Sequence, residues 1–143
     1  IFKKHNIFFW LSEGTALGFI RSNDIIDHDD DVDIGIWNQD RQKLIDILYD
    51  LNRYGFKIFI VALSGSLIAL VRKFERVDID ITGYSLDCAA HYDKCDTLIP
   101  FLQKFNKIKI NNLIYNIPTI QYIERLYGKN WRIPIKNYKL KKK

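Results

Sequence analysis

The chain predicts an α+β domain built round a mixed β-sheet, and three observations carry that reading. Stretches of period-two alternation (Asp31 to Ile36, Val77 to Ile81) stand beside a helical stripe, Leu44, Ile45, Leu48 and Leu51. Two pairs of short apolar runs are joined by turn residues, Ser64-Gly65-Ser66 and Asn111-Asn112, in the manner of hairpins. No linker, repeat or low-complexity tract interrupts the chain before its C-terminal lysines, and 143 residues with 48% apolar content can bury one core. The domain is expected over residues 1–134, followed by a basic tail over 135–143.

In chain order, Ile7-Phe8-Phe9-Trp10-Leu11 has the length of a buried strand and ends at Ser12-Glu13-Gly14. Ala16 to Arg21 reads as a short helix or turn, broken by Ser22-Asn23-Asp24. From Asp31 the side chains alternate: Asp31, Asp33 and Gly35 point one way, Val32, Ile34 and Ile36 the other. That is a strand with a carboxylate face. Asn38 is placed to cap the helix that follows, which ends near Tyr54-Gly55. Phe56 to Leu63 and Leu67 to Lys73 form a hairpin, and Val77-Asp78-Ile79-Asp80-Ile81 is a second strand with carboxylates on one face. Gly83 to Thr97 has loop character. Ile108 to Ile110 and Leu113 to Ile117 form the second hairpin, and Thr119 opens a helix that Gly128 stops after Tyr127.

Composition excludes several classes. Nothing approaches the roughly 20 apolar residues of a membrane-spanning helix, and Ile1-Phe2-Lys3-Lys4-His5 does not open a secretory signal. Beginning at Ile1 with no methionine anywhere, the chain reads as a processed or trimmed piece. Part of the net charge of +5 sits in Lys139, Lys141, Lys142 and Lys143, a solvated end suited to weak contact with an anionic membrane surface. Cys88 and Cys95 are too few for a disulfide framework. With His91 they offer three zinc-ligand types but no fourth, so a loop with two thiols is the preferred reading. No stacking motif of a nucleic-acid module is present.

The chemistry lies in Gly14-Thr15-Ala16-Leu17-Gly18 and the run Asp29-Asp30-Asp31-Val32-Asp33. Carboxylates at contact distance repel by roughly 4 kcal/mol in a protein-like dielectric, so a structure that gathers them needs a cation. If the two acidic strands are neighbours, Asp31, Asp33 and Asp80 converge, with Asp78 competing for the third place. Hard oxygen donors of this kind suit Mg²⁺ or Mn²⁺ bridging to substrate phosphates. The amides around Gly14 and Thr15 are candidates for the phosphate side, since glycine permits close approach. A calcium loop is excluded, because Ile34 stands where that loop requires glycine and a strand follows. Metal-assisted phosphoryl transfer follows from such a set, with a carboxylate activating the attacking hydroxyl.

Trp10 to Arg21, with its Gly14-Thr15-Ala16-Leu17-Gly18 core, and then Asp29-Asp30-Asp31-Val32-Asp33-Ile34-Gly35-Ile36, resemble the LicD family of bacterial phosphocholine transferases, fukutin and fukutin-related proteins. Leu98-Ile99-Pro100, Ile117-Pro118-Thr119, and Tyr127-Gly128-Lys129-Asn130-Trp131 with Pro134 resemble the family's closing pattern, so the likeness runs from about Ile7 to Pro134. The resemblance implies a nucleotidyltransferase-like fold, a mixed sheet flanked by helices. It implies transfer of a phosphorylated small alcohol, such as phosphocholine or phosphoribitol, from a CDP-linked donor (CDP-choline, for example) to a glycan or glycolipid hydroxyl, with release of CMP. Lipopolysaccharide or teichoic acid biosynthesis is the kind of glycan modification this serves. By position, Asp31 and Asp33 are the paired metal ligands, Asp29 a further ligand, and Asp80 the third carboxylate, as ligand or base. Gly14 and Thr15 match the phosphate-side turn and Arg21 the basic position after it, a clamp for a donor phosphate. Asp27-His28 stands where the family commonly has Pro-Trp, which changes the pocket wall. A bacterial setting implies a cytoplasmic or membrane-peripheral protein, a fukutin-like one the Golgi lumen.

Two other functions compete. One is a nucleotidyltransferase moving NMP from an NTP, which the same fold serves. The other is a non-catalytic module that holds an anionic polymer with its lysines and its 14% of aromatic residues. A carboxylate cluster gives such a binder nothing.

Overall fold

The computed structural model describes residues 1–27, 29–62, 67–73, 77–86 and 98–135. Seven strands and four α-helices occur among the described residues. In order they are β1 (Phe9–Leu11), α1 (Glu13–Ser22), β2 (Asp31–Trp37), α2 (Arg41–Asp46), α3 (Leu48–Arg53), β3 (Phe56–Val61), β4 (Leu67–Lys73), β5 (Val77–Tyr84), β6 (Phe105–Ile110), β7 (Leu113–Pro118) and α4 (Ile120–Tyr127). The α+β fold class expected from the sequence is what the chain adopts.

The main sheet has the order β1-β2-β5-β4-β3. Only β2 and β5 are parallel in it; the other neighbours run antiparallel. The parallel register sets Asp31 opposite Asp78 and Asp33 opposite Asp80, so the two carboxylate-bearing strands lie side by side. A parallel pair needs a crossover, and here α2, α3 and the β3–β4 hairpin supply it.

Period-two alternation then divides the side chains of β2 between two cores. Ile36 packs with Leu44, Leu48 and Leu51 of α2 and α3 and with Ile68, Val71 and Ile81. The opposite face looks toward a second core of Trp10, Leu17, Leu102, Tyr122, Ile123 and Leu126. Trp10 is fully buried at its centre, its ring centroid 5.0 Å from those of Trp37 and Phe105 and 5.3 Å from that of Tyr84. Gly35 is required there: a Cβ at that position would come within 2.3 Å of the Trp10 ring. The β6–β7 hairpin is attached through Asn116, whose Nδ2 donates to the Phe9 carbonyl at 2.7 Å.

Several boundaries differ from the sequence reading. Helix α1 begins at Glu13, so Gly14 and Thr15 lie in its first turn and not in a loop ahead of it. The stripe of Leu44, Ile45, Leu48 and Leu51 is split at Ile47 into two helices. Asn38 opens a short 3₁₀ turn without capping it; its Oδ1 accepts a hydrogen bond from Arg41 Nε at 2.8 Å. The strand from Val77 continues to Tyr84. Thr119 and Gly128 flank α4 as expected. His28, the Ser64-Gly65-Ser66 turn, Cys88, His91, Cys95 and the lysine tail lie outside the described residues. No helix among the described residues is long and apolar enough to cross a membrane.

Candidate active site

The start of α1 and the start of β2 are bolted together by Asp33. Ser12 is extended, and its carbonyl accepts the first helical bond from the Ala16 amide at 2.8 Å. The Ser12 amide donates to the Asp33 carbonyl at 3.0 Å. The Gly14 amide donates to Asp33 Oδ2 at 2.9 Å, and the Asp33 amide donates to Thr15 Oγ1 at 2.9 Å. An orphan amide of the helix's first turn is thus satisfied by a distant carboxylate, which also suits the positive end of the helix dipole. A side chain at Gly14 would have to displace the carboxylates: a Cβ there would stand 2.8 Å from Asp29 Oδ2 and 3.2 Å from Asp33 Oδ2.

Asp31, Asp33 and Asp80 each present an oxygen within 4.8 Å of the others'. Asp29 sits beside them, and Asp29 Oδ2 and Asp80 Oδ1 are buried without a hydrogen-bond partner among the described residues. A buried carboxylate oxygen with no donor costs free energy unless a cation or a proton satisfies it. The site carries that cost several times over. Burial, then the charges of Glu13 and Asp31, push the Asp33 carboxyl up to about 7 against the opposing Gly14 hydrogen bond. Asp29 is pushed up to about 6, by burial first and then by its hydrogen bond to Asp31 and the charges of Asp31 and Asp30. Asp80 is raised by burial and by Asp31 and Asp78. The three hard oxygen donors of Asp31, Asp33 and Asp80 fit a divalent cation; Asp29, expected as a further ligand, lines the same space outside that group.

Asp78, the rival for the third place, is otherwise engaged. Arg72 of the neighbouring strand grips it with both prongs, Nε to Oδ1 at 2.5 Å and Nη2 to Oδ2 at 3.0 Å, and holds its carboxyl below the usual range.

Beneath the cluster lies a hydroxyl network that the sequence reading did not single out. The buried Tyr84 hydroxyl is 2.8 Å from Ser12 Oγ, 3.3 Å from the Tyr122 hydroxyl, and donates to Glu13 Oε1 at 3.2 Å. Glu13 has φ of 36°, in the left-handed region that a side chain seldom adopts. One signal was present: Asp78, Asp80, Thr82 and Tyr84 alternate, so Tyr84 shares the acidic face of β5. Nothing in the sequence marked Glu13 or Tyr122 as its partners.

The cluster opens into a cleft of about 1040 Å³. It is lined by α1 and the segment after it, including Leu17, Arg21 and Ile25, and by Tyr127 and the chain from Asn130 to Ile135. Arg21 therefore faces the same space as Asp31, Asp33 and Asp80, and Gly14 lines it, whereas the buried Thr15 serves as a brace for the Asp33 amide.

Residues 6–111 match the family described as "LicD/FKTN/FKRP, nucleotidyltransferase domain". Human ribitol-5-phosphate transferase FKTN is 29% identical over 158 aligned positions, covering 94% of this chain and 31% of that protein. The mouse protein is 30% identical, covering 91% of this chain and 30% of its own length. This chain thus spans about a third of those relatives. An uncharacterized protein of Rickettsia prowazekii, RP689, is 42% identical over 55 residues, 38% of this chain and 21% of that one. Among solved structures, the lincosamide antibiotic adenylyltransferase LnuA superposes with a TM-score of 0.55 at 18% identity, over 84% of this chain and 75% of its own. The antibiotic-resistance factor ANT(2'')-Ia gives 0.56 at 14% identity, over 85% and 61%. At such identities these two establish the fold, a nucleotidyltransferase-like one.

Proposed function

Because this chain belongs to the LicD/FKTN/FKRP nucleotidyltransferase-domain family, we propose that it transfers a phosphorylated small alcohol from a CDP-linked donor to a glycan or glycolipid hydroxyl, releasing CMP, with Mg²⁺ or Mn²⁺ as cofactor. The observation that carries the reading is the convergence of Asp31, Asp33 and Asp80, with buried oxygens of Asp80 and the adjacent Asp29 lacking a donor among the described residues. The human and mouse relatives are named as ribitol-5-phosphate transferases, which makes CDP-ribitol the first donor to try beside CDP-choline.

Asp31, Asp33 and Asp80 would hold the cation, with Asp29 as a further ligand. Bound there, a divalent ion supplies charge neutralisation for the donor's diphosphate. The chain's own groups do the rest. Asp33 is fixed at both ends, through the Gly14 amide and the Thr15 hydroxyl, so its oxygens are presented in a set geometry. Arg21 reaches the cleft from α1 and can take a donor phosphate oxygen through its planar fork. In the transfer itself an acceptor oxygen bonds to the distal phosphorus of the diphosphate and the bond to the bridging oxygen breaks. CMP leaves with the electron pair. The hydroxyl proton passes to a carboxylate of the cluster, for which Asp80 is our candidate.

The test is CMP release from CDP-ribitol, CDP-choline and CDP-glycerol with Mg²⁺, comparing the wild type with Asp31→Ala and Asp33→Ala. Slow hydrolysis suffices as readout, since water stands in for the acceptor. Metal-dependent CMP release lost in both variants is the expected result. A folded protein that turns over none of these donors and binds no CDP with Mg²⁺ refutes the proposal. NTP donors, the substrates of an alternative nucleotidyltransferase, belong in the same panel, with pyrophosphate as their product.

A further inference from the structure

The cleft that holds the carboxylates is also lined by an arrangement that no step above uses. The Arg132 guanidinium carbon lies over the Trp131 ring, 4.2 Å from its centroid. The indole itself is buried, with 5% of its surface exposed, and its Nε1 donates to Glu124 Oε1 at 3.4 Å. The same Glu124 oxygen lies 4.0 Å from Arg132 Nη1. One carboxylate of α4 therefore braces both the indole and the cation above it. The Arg132 side chain remains 62% exposed, and both Trp131 and Arg132 line the cleft. The cleft also carries exposed apolar side chains, Ile133 at 63% and Ile25 at 48%.

We infer that Arg132, mounted on Trp131, is the shelf on which the pyrimidine base of a cytidine-linked donor stacks. This rests on the donor reading given above. The chemistry favours a base over a phosphate. An arginine held for a phosphate points its N–H edge at the ligand, whereas a guanidinium stacked on a buried ring offers a planar face. A neutral heteroaromatic ring flanked by apolar side chains is what such a face accepts. Among the described residues lining the cleft, Arg21 on α1 and Arg132 after α4 are the two cations. The donor is thus divided between them: its diphosphate lies with the carboxylates, their cation and Arg21, its base on Arg132.

The experiment compares two probes, CDP and inorganic pyrophosphate, each titrated calorimetrically with Mg²⁺ into the wild type, Arg132→Ala and Arg132→Lys. The exposed position makes both variants compatible with folding, which thermal melts confirm independently. The expected result is about tenfold weaker CDP binding in both variants, in line with the loss of one stacked base, with pyrophosphate affinity unchanged. Lysine keeps the charge and loses the plane, so a lysine variant that binds CDP like the wild type overturns the shelf. So does equal loss of pyrophosphate affinity, which would make Arg132 a phosphate clamp. Wild type and variants binding CDP alike overturn the shelf while leaving the donor reading intact. A wild type that binds no CDP overturns both.

Discussion

Asp33→Asn is the substitution that separates a metal site from a merely acidic surface. In the metal-free protein the Asp33 carboxyl is held at about 7 in place of its ordinary 3.8. By linkage, that difference places about 4 kcal/mol on the folded state at pH 8, and screening at this partly open site lowers it toward about 2 kcal/mol. The sign follows from proton uptake. Between pH 4 and pH 7 the folded chain binds more protons at Asp33 than the unfolded chain. Its contribution therefore destabilises above pH 7, fades as the pH falls, and vanishes near pH 4. Asparagine has the same shape and keeps an oxygen for the Gly14 amide at 2.9 Å, but it carries no charge.

The assay is urea denaturation in EDTA at pH 8 and pH 5, repeated with excess Mg²⁺. Asp33→Asn is expected to be more stable than the wild type by about 2–4 kcal/mol at pH 8 without metal. The gap should shrink at pH 5. With the ion at a hundred times its dissociation constant the wild type gains about 2.7 kcal/mol, and the variant, having lost a ligand, gains little. A variant less stable than the wild type at pH 8 in EDTA refutes the argument. A variant whose midpoint still rises with Mg²⁺ refutes Asp33 as a ligand.

The same carboxyls make metal affinity pH-dependent. With Asp33 near 7, Asp29 near 6 and Asp80 raised, the ion displaces protons, and calorimetry should show Mg²⁺ binding weakening by about tenfold per pH unit below 7. Gly14→Ala puts a methyl 2.8 Å from Asp29 Oδ2; affinity for Mg²⁺ should fall at least about tenfold, at a stability cost of about 1–3 kcal/mol. The Asp78 and Asp80 pair decides the third ligand: Asp80→Asn should abolish CMP release, whereas Asp78→Asn, losing only its surface pair with Arg72, should keep it within about twofold. Gly35→Ala drives a methyl to 2.3 Å from the Trp10 ring and should cost about 3 kcal/mol or more in urea melts while leaving the ligands untouched.

The carboxylate pattern was legible because a strand's alternation is a local rule. Asp31, Asp33 and Asp80 could be assigned to faces from spacing alone, and the placement of β2 beside β5 then brought them together. Their partners were not legible. That Asp33 would occupy the Gly14 amide, and so draw Gly14 and Thr15 into a helix, depends on a contact across nineteen residues. The choice between Asp78 and Asp80 depended on which strand flanks β5 on its other side. Arg72 is opposite Asp78 in β4 and Leu70 opposite Asp80, so the cross-strand partner is a cation for Asp78 and an apolar side chain for Asp80. The Glu124, Trp131 and Arg132 arrangement was equally invisible, since its parts share no periodicity and meet only through the chain's path after α4.

These contacts also explain why the site sits where it does. A metal site whose carboxylates were free to swing would relax apart, because separation relieves their repulsion. Here the oxygens cannot separate cheaply. Asp33 is tied at its carboxylate to the Gly14 amide and at its amide to Thr15. Asp80 is locked opposite it by the sheet register, and Asp29 comes so close to Gly14 that a methyl there would have to push its carboxylate aside. Relief must then come from a proton or a cation, and at pH 8 protons are scarce. The repulsion the fold retains without metal is thus the affinity it offers to one. Loosening the clamp should therefore raise metal-free stability and lower metal affinity together. Thr15→Val tests this, since it removes the hydroxyl that accepts from the Asp33 amide while keeping the buried volume. Weaker Mg²⁺ binding with little change in the metal-free urea midpoint at pH 8 is the expected outcome, the lost hydrogen bond (about 1 kcal/mol) being offset by relief of the carboxylates. A full loss of stability at pH 8 with Mg²⁺ affinity intact would show that the clamp serves the fold alone.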